Sequence, residues 1–380
     1  MHALKKYINM NKLIYFFSLL FILGLSNSWA QSQTKWTSFY NADSTAIGFK
    51  DARGIVKIKP KFTGFTRVNT FENIIAVAEK SNEQWNSYYL TKDGKQIGTD
   101  SLYVFDFSYD CEREGFIRFQ DPKTQKIGVF NKDGKIQIPA IYDGLTNVNK
   151  GLLIGLLGAK IVYWDNENHE GCNHFSWEGG KEVLIDTLNH VLVENFPLTT
   201  DLNFYDVIES DAPTNSIDRT SFKTTKDTYL SFIDYEKEFK HWFFHTFLNN
   251  LDEKDLVKNA QQVIVWEGPN DWVYEEKETF VPRNHKVLKN ELKSFTDANA
   301  DYFISINGLN SFIYEAESYT SYFDNCGNAL VEKHPVMNLI INKTVNGKQV
   351  QNHFDFLRTN EGYKLISVTI RNQMLKKIKS

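Results

Sequence analysis

"IGVFNKDGKIQIPAIYDGL", Ile127 to Leu145, is the stretch whose reading decides the fold. Its centre, Lys132-Asp133-Gly134, lies between two short apolar-aromatic runs. Asp-Gly in that setting marks a hairpin turn, because glycine enters the left-handed backbone region without penalty. Ile138 and Tyr142 stand four and eight residues after Gly134. Even spacing puts both on one face of a strand. Pro139 cannot donate to a ladder, which places it at an edge or a strand end.

Working outward, "IGFKDARGIVKIKPKFTGF", Ile47 to Phe65, has the same skeleton, with Ile58, Pro60 and Phe62 at even steps after Gly54. Gly54, Gly94 and Gly134 are spaced 40 residues apart, and Phe71, Cys111 and Gly151 keep the same step. "KDG" recurs at Lys92–Gly94 and Lys132–Gly134. A fixed period of this size predicts stacked supersecondary units, none of which buries its apolar face alone. A degenerate fourth unit runs "EVLIDTLNHVLVENFP", Glu182 to Pro197. The expectation is a β-rich repeat domain over 31–210, built of antiparallel hairpin units of about 40 residues, with an insertion at 161–181. The Asp-Gly turns supply too few oxygens for a Ca²⁺ loop and are read as architecture.

On these residues the segment resembles the WG-repeat family of bacterial proteins. Gly48, Phe49, Asp51, Gly54, Ile58, Pro60 and Phe62 follow its pattern, as do Gly128, Phe130, Asp133, Gly134, Ile138 and Tyr142. The Trp of the family's name is replaced by Ile47 and Ile127, and the middle unit has Tyr88 where Gly would fall. The resemblance covers roughly 40–200 of the chain. It implies a binding or scaffold module of envelope or secreted proteins and carries over no catalytic residues.

Composition bounds the partners. The 380 residues are 42% hydrophobic and 24% charged, long enough for two or three domains. Lys5, Lys6 and Lys12 precede the apolar run Leu13 to Leu25 and then "SNSWAQ". This reads as a signal peptide over 1–30, with Ser28 and Ala30 as the small residues before the cleavage point and Met10 as an alternative start. The run is shorter than the roughly 20 residues a membrane span needs. The expectation is export to the periplasm, the cell surface or the medium, with no membrane span after cleavage. Cleavage removes those three lysines and no acid, so the formal charge of −4 becomes more negative. With no basic block, nucleic acid is not an expected partner. Cys111, Cys172 and Cys326 allow one disulfide, which the sequence leaves unpaired.

The insertion, Tyr163 to Gly180, holds His169, Cys172 and His174, which are zinc ligands by type. H-x-x-C-x-H departs from the paired spacing of structural zinc sites. A polar loop with Trp164 and Trp177 packed at its base is the expectation. Long loops in repeat arrays sit on one face, often the binding face.

After a linker at 211–230 the texture changes. Phe239, Trp242, Phe243, Phe247 and Leu251 recur at helical steps, as do Val287, Leu288, Leu292 and Phe295. "QQVIVWEG" reads as a strand between them. Asn346-Gly347 and Asn360-Glu361-Gly362 join three β-runs; Val350, Phe354 and Phe356 share a face of the middle run, interrupted by Asn352. Residues 231–380 are therefore expected to be an α+β domain, helices packed on an antiparallel sheet. Phe354, Phe356, Tyr363, Lys364 and Leu365 also resemble the last hairpin of the cone-shaped nuclear-transport-factor-2-like fold. That family includes enzymes, ligand pockets and non-catalytic partner domains.

Two functions follow as expectations. The first is a non-catalytic binding or scaffold module for a protein or envelope polymer, with no cofactor. The second is a small-ligand or enzymatic site in the C-terminal cone. Its candidates are Glu315 and Glu317, alternating as on one strand face, and His241 and His245, one helical turn apart. H-E-x-x-H is not met, and no nucleophile elbow, P-loop or dinucleotide fingerprint occurs.

Overall fold

A computed structural model describes residues 35–81, 84–164, 175–199, 201–268, 270–373 and 375. Residues 1–30, read as a signal peptide, and His169, Cys172 and His174, read as zinc ligands by type, lie outside the described residues. The chain forms two compact units. Of the described residues, the first comprises those up to Ile141 together with Asn325–Gly327; the second comprises those of Tyr142–Asp324 and those from Asn328 onward. Among the described residues no helix is long and apolar enough to cross a membrane.

The first unit is almost wholly antiparallel sheet. Its seven-stranded sheet runs, in spatial order, Thr70–Phe71, Trp36–Tyr40, Ile47–Asp51, Val56–Phe62, Ile74–Ser81, Gln84–Thr91 and Gln96–Ile97. A three-stranded sheet, Phe116–Gln120, Ile127–Asn131 and Ile136–Tyr142, follows. The turns at Gly54, Gly94 and Gly134 share one geometry. In each, the glycine amide donates to the carbonyl three residues back, and that residue's amide donates to the carbonyl four residues on. All three glycines have φ between 69° and 91°. Asn189 (φ 66°) makes the same pair of bonds in the Asp186–His190 turn, as expected of a residue that tolerates the left-handed region.

The residue opening each turn also locks it from its side chain. Asp51 Oδ1 accepts from the Arg53 and Ile55 amides at 3.0 Å, and Asn131 Oδ1 accepts from Asp133 and Lys135 at 3.1 Å. Burial opposes the charge on Asp51, but the Ile55 amide, Lys57 and the Arg53 amide together bring its carboxyl down to about 2. Gly128 is required for another reason. A Cβ there would lie 2.7 Å from the Ile138 carbonyl oxygen, and one on Gly48 would lie 2.5 Å from that of Ile58.

Strand period two divides the interior. Ile75, Val77, Tyr88 and Leu90 join Phe49, Phe62 and Phe71 in one cluster, while Ile74, Ala76 and Tyr89 join Ile117, Phe119 and Phe130 in another. The Ile74–Ser81 and Gln84–Thr91 strands are thus buried on both faces and read as near-continuous apolar runs. Cys326 packs against the first cluster and is bonded to Cys111, 215 residues away. Glu112, next to that cysteine, is buried and caps the Ile74 strand by accepting from the Asn73 and Ile74 amides.

The second unit begins with a four-stranded sheet, Gly144–Leu145, Leu152–Leu157, Lys181–Asp186 and Val191–Glu194. A three-stranded sheet follows, Leu202–Ser210, Tyr229–Asp234 and Arg219–Lys223 in spatial order. Residues 211–230, read as a linker, therefore carry a paired strand. Phe222 of that strand packs on Phe196 and Phe232, which draws the segment into the core.

Helix α1, Tyr235–Trp242, starts at Asp234, whose side chain accepts from the Lys237 amide, and continues as one π-helical turn, Phe243–Phe247. Helix α2 is Glu253–Lys258 and α3 is Lys277–Lys293. A six-stranded sheet runs Trp272–Glu276, Ala260–Glu267, Gly362–Thr369, Lys348–Thr359, Val336–Val345 and Tyr302–Asn307 in spatial order. All its pairings are antiparallel except Ala260–Glu267 with Gly362–Thr369. Asn346 and Gly347, at φ 50° and 74°, close the two-residue turn the sequence predicts.

Asn352, which breaks the apolar face, is fully buried and has partners. It donates to Glu291 at 2.8 Å and accepts from the Arg371 amide at 2.9 Å, tying the segment at Arg371 to α3. One sheet face packs Phe354, Phe356, Leu365 and Val368 against the helices. The other packs Val265, Leu357 and Ile366 against Leu309, Tyr314 and Tyr319.

Candidate binding surface

The first unit exposes aromatic rings on a rigid base. Val104–Phe105 and Ser108–Tyr109 form a short hairpin closed by Asp106 and Phe107, at φ 46° and 57°. Two residues at positive φ make the turn type that normally takes Asn-Gly. A phenylalanine there costs roughly 1–2 kcal/mol of backbone strain. It is not repaid by burial, since Phe107 is 89% and Phe105 72% exposed.

Beside them Phe65 lies 6.4 Å from Trp85, which is 61% exposed, and 6.4 Å from Tyr109, centre to centre. The 65–68 loop alternates. Thr66 and Val68 are buried, with Thr66 Oγ1 accepting from the Ala78 amide, while Phe65 and Arg67 face out and Arg67 Nη1 donates to Ser108 Oγ at 3.2 Å. Below the hairpin, Asp110 accepts from Arg118 Nε and Nη2, and the Arg118 guanidinium lies 4.3 Å from the Tyr103 ring centre. Burial works against the Arg118 charge, but Asp110 holds it firmly protonated. Tyr89 Oη donates to the Arg118 carbonyl and accepts from the Tyr103 amide. The root is fixed and the tip apolar, so the hairpin offers exposed apolar area on a hydrogen-bonded base.

The described part of the insertion pairs Lys160–Tyr163 with Phe175–Glu178 as antiparallel strands. Ile161, Tyr163 and Phe175 are exposed on it, and Tyr163 and Phe175 rings lie 6.0 Å apart. Trp164, expected to pack at its base, is instead 72% exposed.

The C-terminal candidates do not converge. His241 and His245 are adjacent, ring centres 5.4 Å apart, but both sit on the exposed face of α1 and its π-helical extension; His241 Nδ1 meets Asp218 at 2.9 Å. Glu315 and Glu317 are not on a strand. Both are exposed: Glu315 lies in irregular backbone and Glu317 starts the 3₁₀ segment Glu317–Tyr322. Tyr314 and Tyr319 pack inward there, and that step of five sets the local geometry in place of strand alternation. The space between helices and sheet is filled by Phe239, Phe243, Phe247, Trp266, Phe280, Phe295, Phe354 and Phe356. None of the four candidates reaches it. Cys111 and Cys326 are bonded to each other, so neither is a thiolate ligand or nucleophile.

The sequence alone does not single out the exposed hairpin, although "VFDFSY" carries its signal, aromatic alternation about a single Asp. No family model and no curated protein matches this chain. Among solved structures it is similar to a chain labelled Rd1NTF2 (11% identity, 33% of this chain and 89% of that one, TM-score 0.20). It is also similar to an NTF2-like protein of unknown function from Cytophaga hutchinsonii (14% identity, 35% of this chain and 95% of that one, TM-score 0.19).

Proposed function

We propose that the chain is an exported, non-catalytic binding or scaffold protein of the bacterial envelope, whose WG-like β-rich region presents a surface to a protein or envelope polymer. The observation that carries this reading is the strained, exposed Phe105–Phe107 hairpin beside Phe65 and Trp85. Exposed aromatics on a fixed base are costly to solubility and are kept where they dock. The three turns of one geometry at 40-residue steps support the repeat reading. Export rests on the N-terminal basic and apolar pattern. The Cys111–Cys326 bond supports it, because such bonds persist in oxidising compartments.

The test is retention of envelope components by the immobilised mature chain, compared with a variant carrying Phe105→Ser, Phe107→Ser and Trp85→Ser. A component held by the parent and released by the variant is the expected result. Equal retention by both, or none by either, would overturn the reading.

A further inference from the structure

A second surface, independent of the aromatic hairpin, is a cleft of about 500 Å³ in the second unit. It is lined by Asn203 and Tyr205 from the Leu202–Ser210 strand, Glu238 and Trp242 from α1, Lys333 and His334, and the Arg358 to Tyr363 turn. Its floor is built. Glu238 accepts from Arg358 Nε at 2.7 Å, Arg358 Nη2 at 3.0 Å and Tyr363 Oη at 2.8 Å, and the guanidinium sits 5.2 Å from the Tyr235 ring centre. Asp206, at the rim, is occupied by Arg219. These acids and cations cancel in pairs.

Three groups remain. Lys333 Nζ lies over the Tyr205 ring at 5.4 Å and has no acidic partner among the described residues. Asn203, buried, spends its Oδ1 on the Tyr205 amide at 2.8 Å, which leaves its NH₂ group. Arg358 spends Nε and Nη2 on Glu238, which leaves Nη1. His334, also buried, contributes no positive charge. Its Nδ1 bonds the Arg358 carbonyl at 3.0 Å, so that nitrogen carries the proton, and burial disfavours a second proton. The cleft therefore holds a surplus of N–H donors and one uncompensated cation, set against the Tyr205 and Trp242 rings.

We infer that this cleft is a ligand site for an oxyanion, the carboxylate or phosphate group of a small molecule, with Lys333 as the charge partner and the Asn203 amide and Arg358 Nη1 as orienting donors. Charged donors favour such groups over neutral acceptors, and a half-enclosed polar cleft with convergent donors suits one small group.

The experiment is a titration of the mature chain, disulfide intact, with inorganic phosphate and separately with acetate. It is read by the Trp242 indole N–H and His334 ring resonances, assigned with Trp242→Phe and His334→Gln. Saturable shifts with either probe are expected, and the responding probe names the group. Lys333→Met keeps the stem on Tyr205 and leaves the Arg358–Glu238 pair intact. It should weaken binding about 10- to 100-fold, the worth of one charged hydrogen bond, with an unchanged melting temperature. Absence of a saturable shift with both probes at tens of millimolar, or an unchanged affinity in Lys333→Met, would overturn the site.

Discussion

The β-rich first unit and the α+β region of the second solve the same problem by different means. The α+β region gathers Phe239, Phe243, Phe247, Trp266, Phe354 and Phe356 into one large core in which rings touch rings. In the first unit, apolar residues of shared strands divide between two smaller clusters on their opposite faces. It adds local locks: side-chain-closed turns, buried Glu112 capping a strand, and one covalent bond. The difference teaches where each is vulnerable. A region of smaller, divided cores depends on its fasteners, and a region dominated by one large core depends on its volume.

The largest test of that contrast is the disulfide. Closing a loop of 215 residues is worth up to about 5 kcal/mol in the chain-entropy account. Cys111→Ser with Cys326→Ser should therefore release residues 35–141 to fast amide exchange while the Phe356 region stays protected. Uniform loss of protection through both regions would break the comparison. The reciprocal change is Phe243→Ala, which empties volume at the meeting of Phe239, Phe247, Phe295 and Phe356. It should cost about 4 kcal/mol by denaturant unfolding of the α+β region. A cost under about 1 kcal/mol would mean the core can collapse around the gap.

Sequence legibility follows the same contrast. The turns at Gly54, Gly94, Gly134 and Asn346-Gly347 were readable because their chemistry lies within five residues. The α1 and α3 faces were readable because period 3.6 is local. What escaped is long-range. The Cys111–Cys326 pairing spans most of the chain, and Asn352 looked like a flaw in an apolar stripe because its partner Glu291 is 61 residues away. Glu315 and Glu317 alternated as a strand does, but Tyr314 and Tyr319 pack on the sheet's outer face and impose a 3₁₀ turn. Of the two proposed binding surfaces, only residue types were visible. Neither the exposure of Phe107 nor the convergence of Asn203, Lys333 and Arg358 can be had without the fold.

A finer cut lies within the first unit. Gly54 and Gly134 share a turn geometry, but a Cβ on Gly54 meets nothing within 4 Å, whereas one on Gly134 would lie 2.8 Å from Ile97 Cδ1. Gly54→Ala should cost only the left-handed strain, roughly 1–2 kcal/mol. Gly134→Ala should cost that and a repacking of Ile97. Equal melting shifts for the two would show that Ile97 yields freely.

The smallest effect is acid response, and its sign separates the two regions. Burial holds the His334 and His353 imidazoles below their ordinary values in the α+β region. The unfolded chain then takes up protons first, near pH 6.5, so stability that is full above that pH is lost as pH falls toward the folded values. In the first unit Asp51, at about 2, gives stability that persists above pH 4 and disappears only as pH drops toward 2. Glu112, raised by burial, works the other way and gains as pH falls. Between pH 7 and pH 5 the α+β region should therefore lose amide protection while residues 35–141 do not, and His334→Gln should flatten that loss. Equal loss in both regions over that interval would place the acid sensitivity in charges the two share rather than in buried imidazoles.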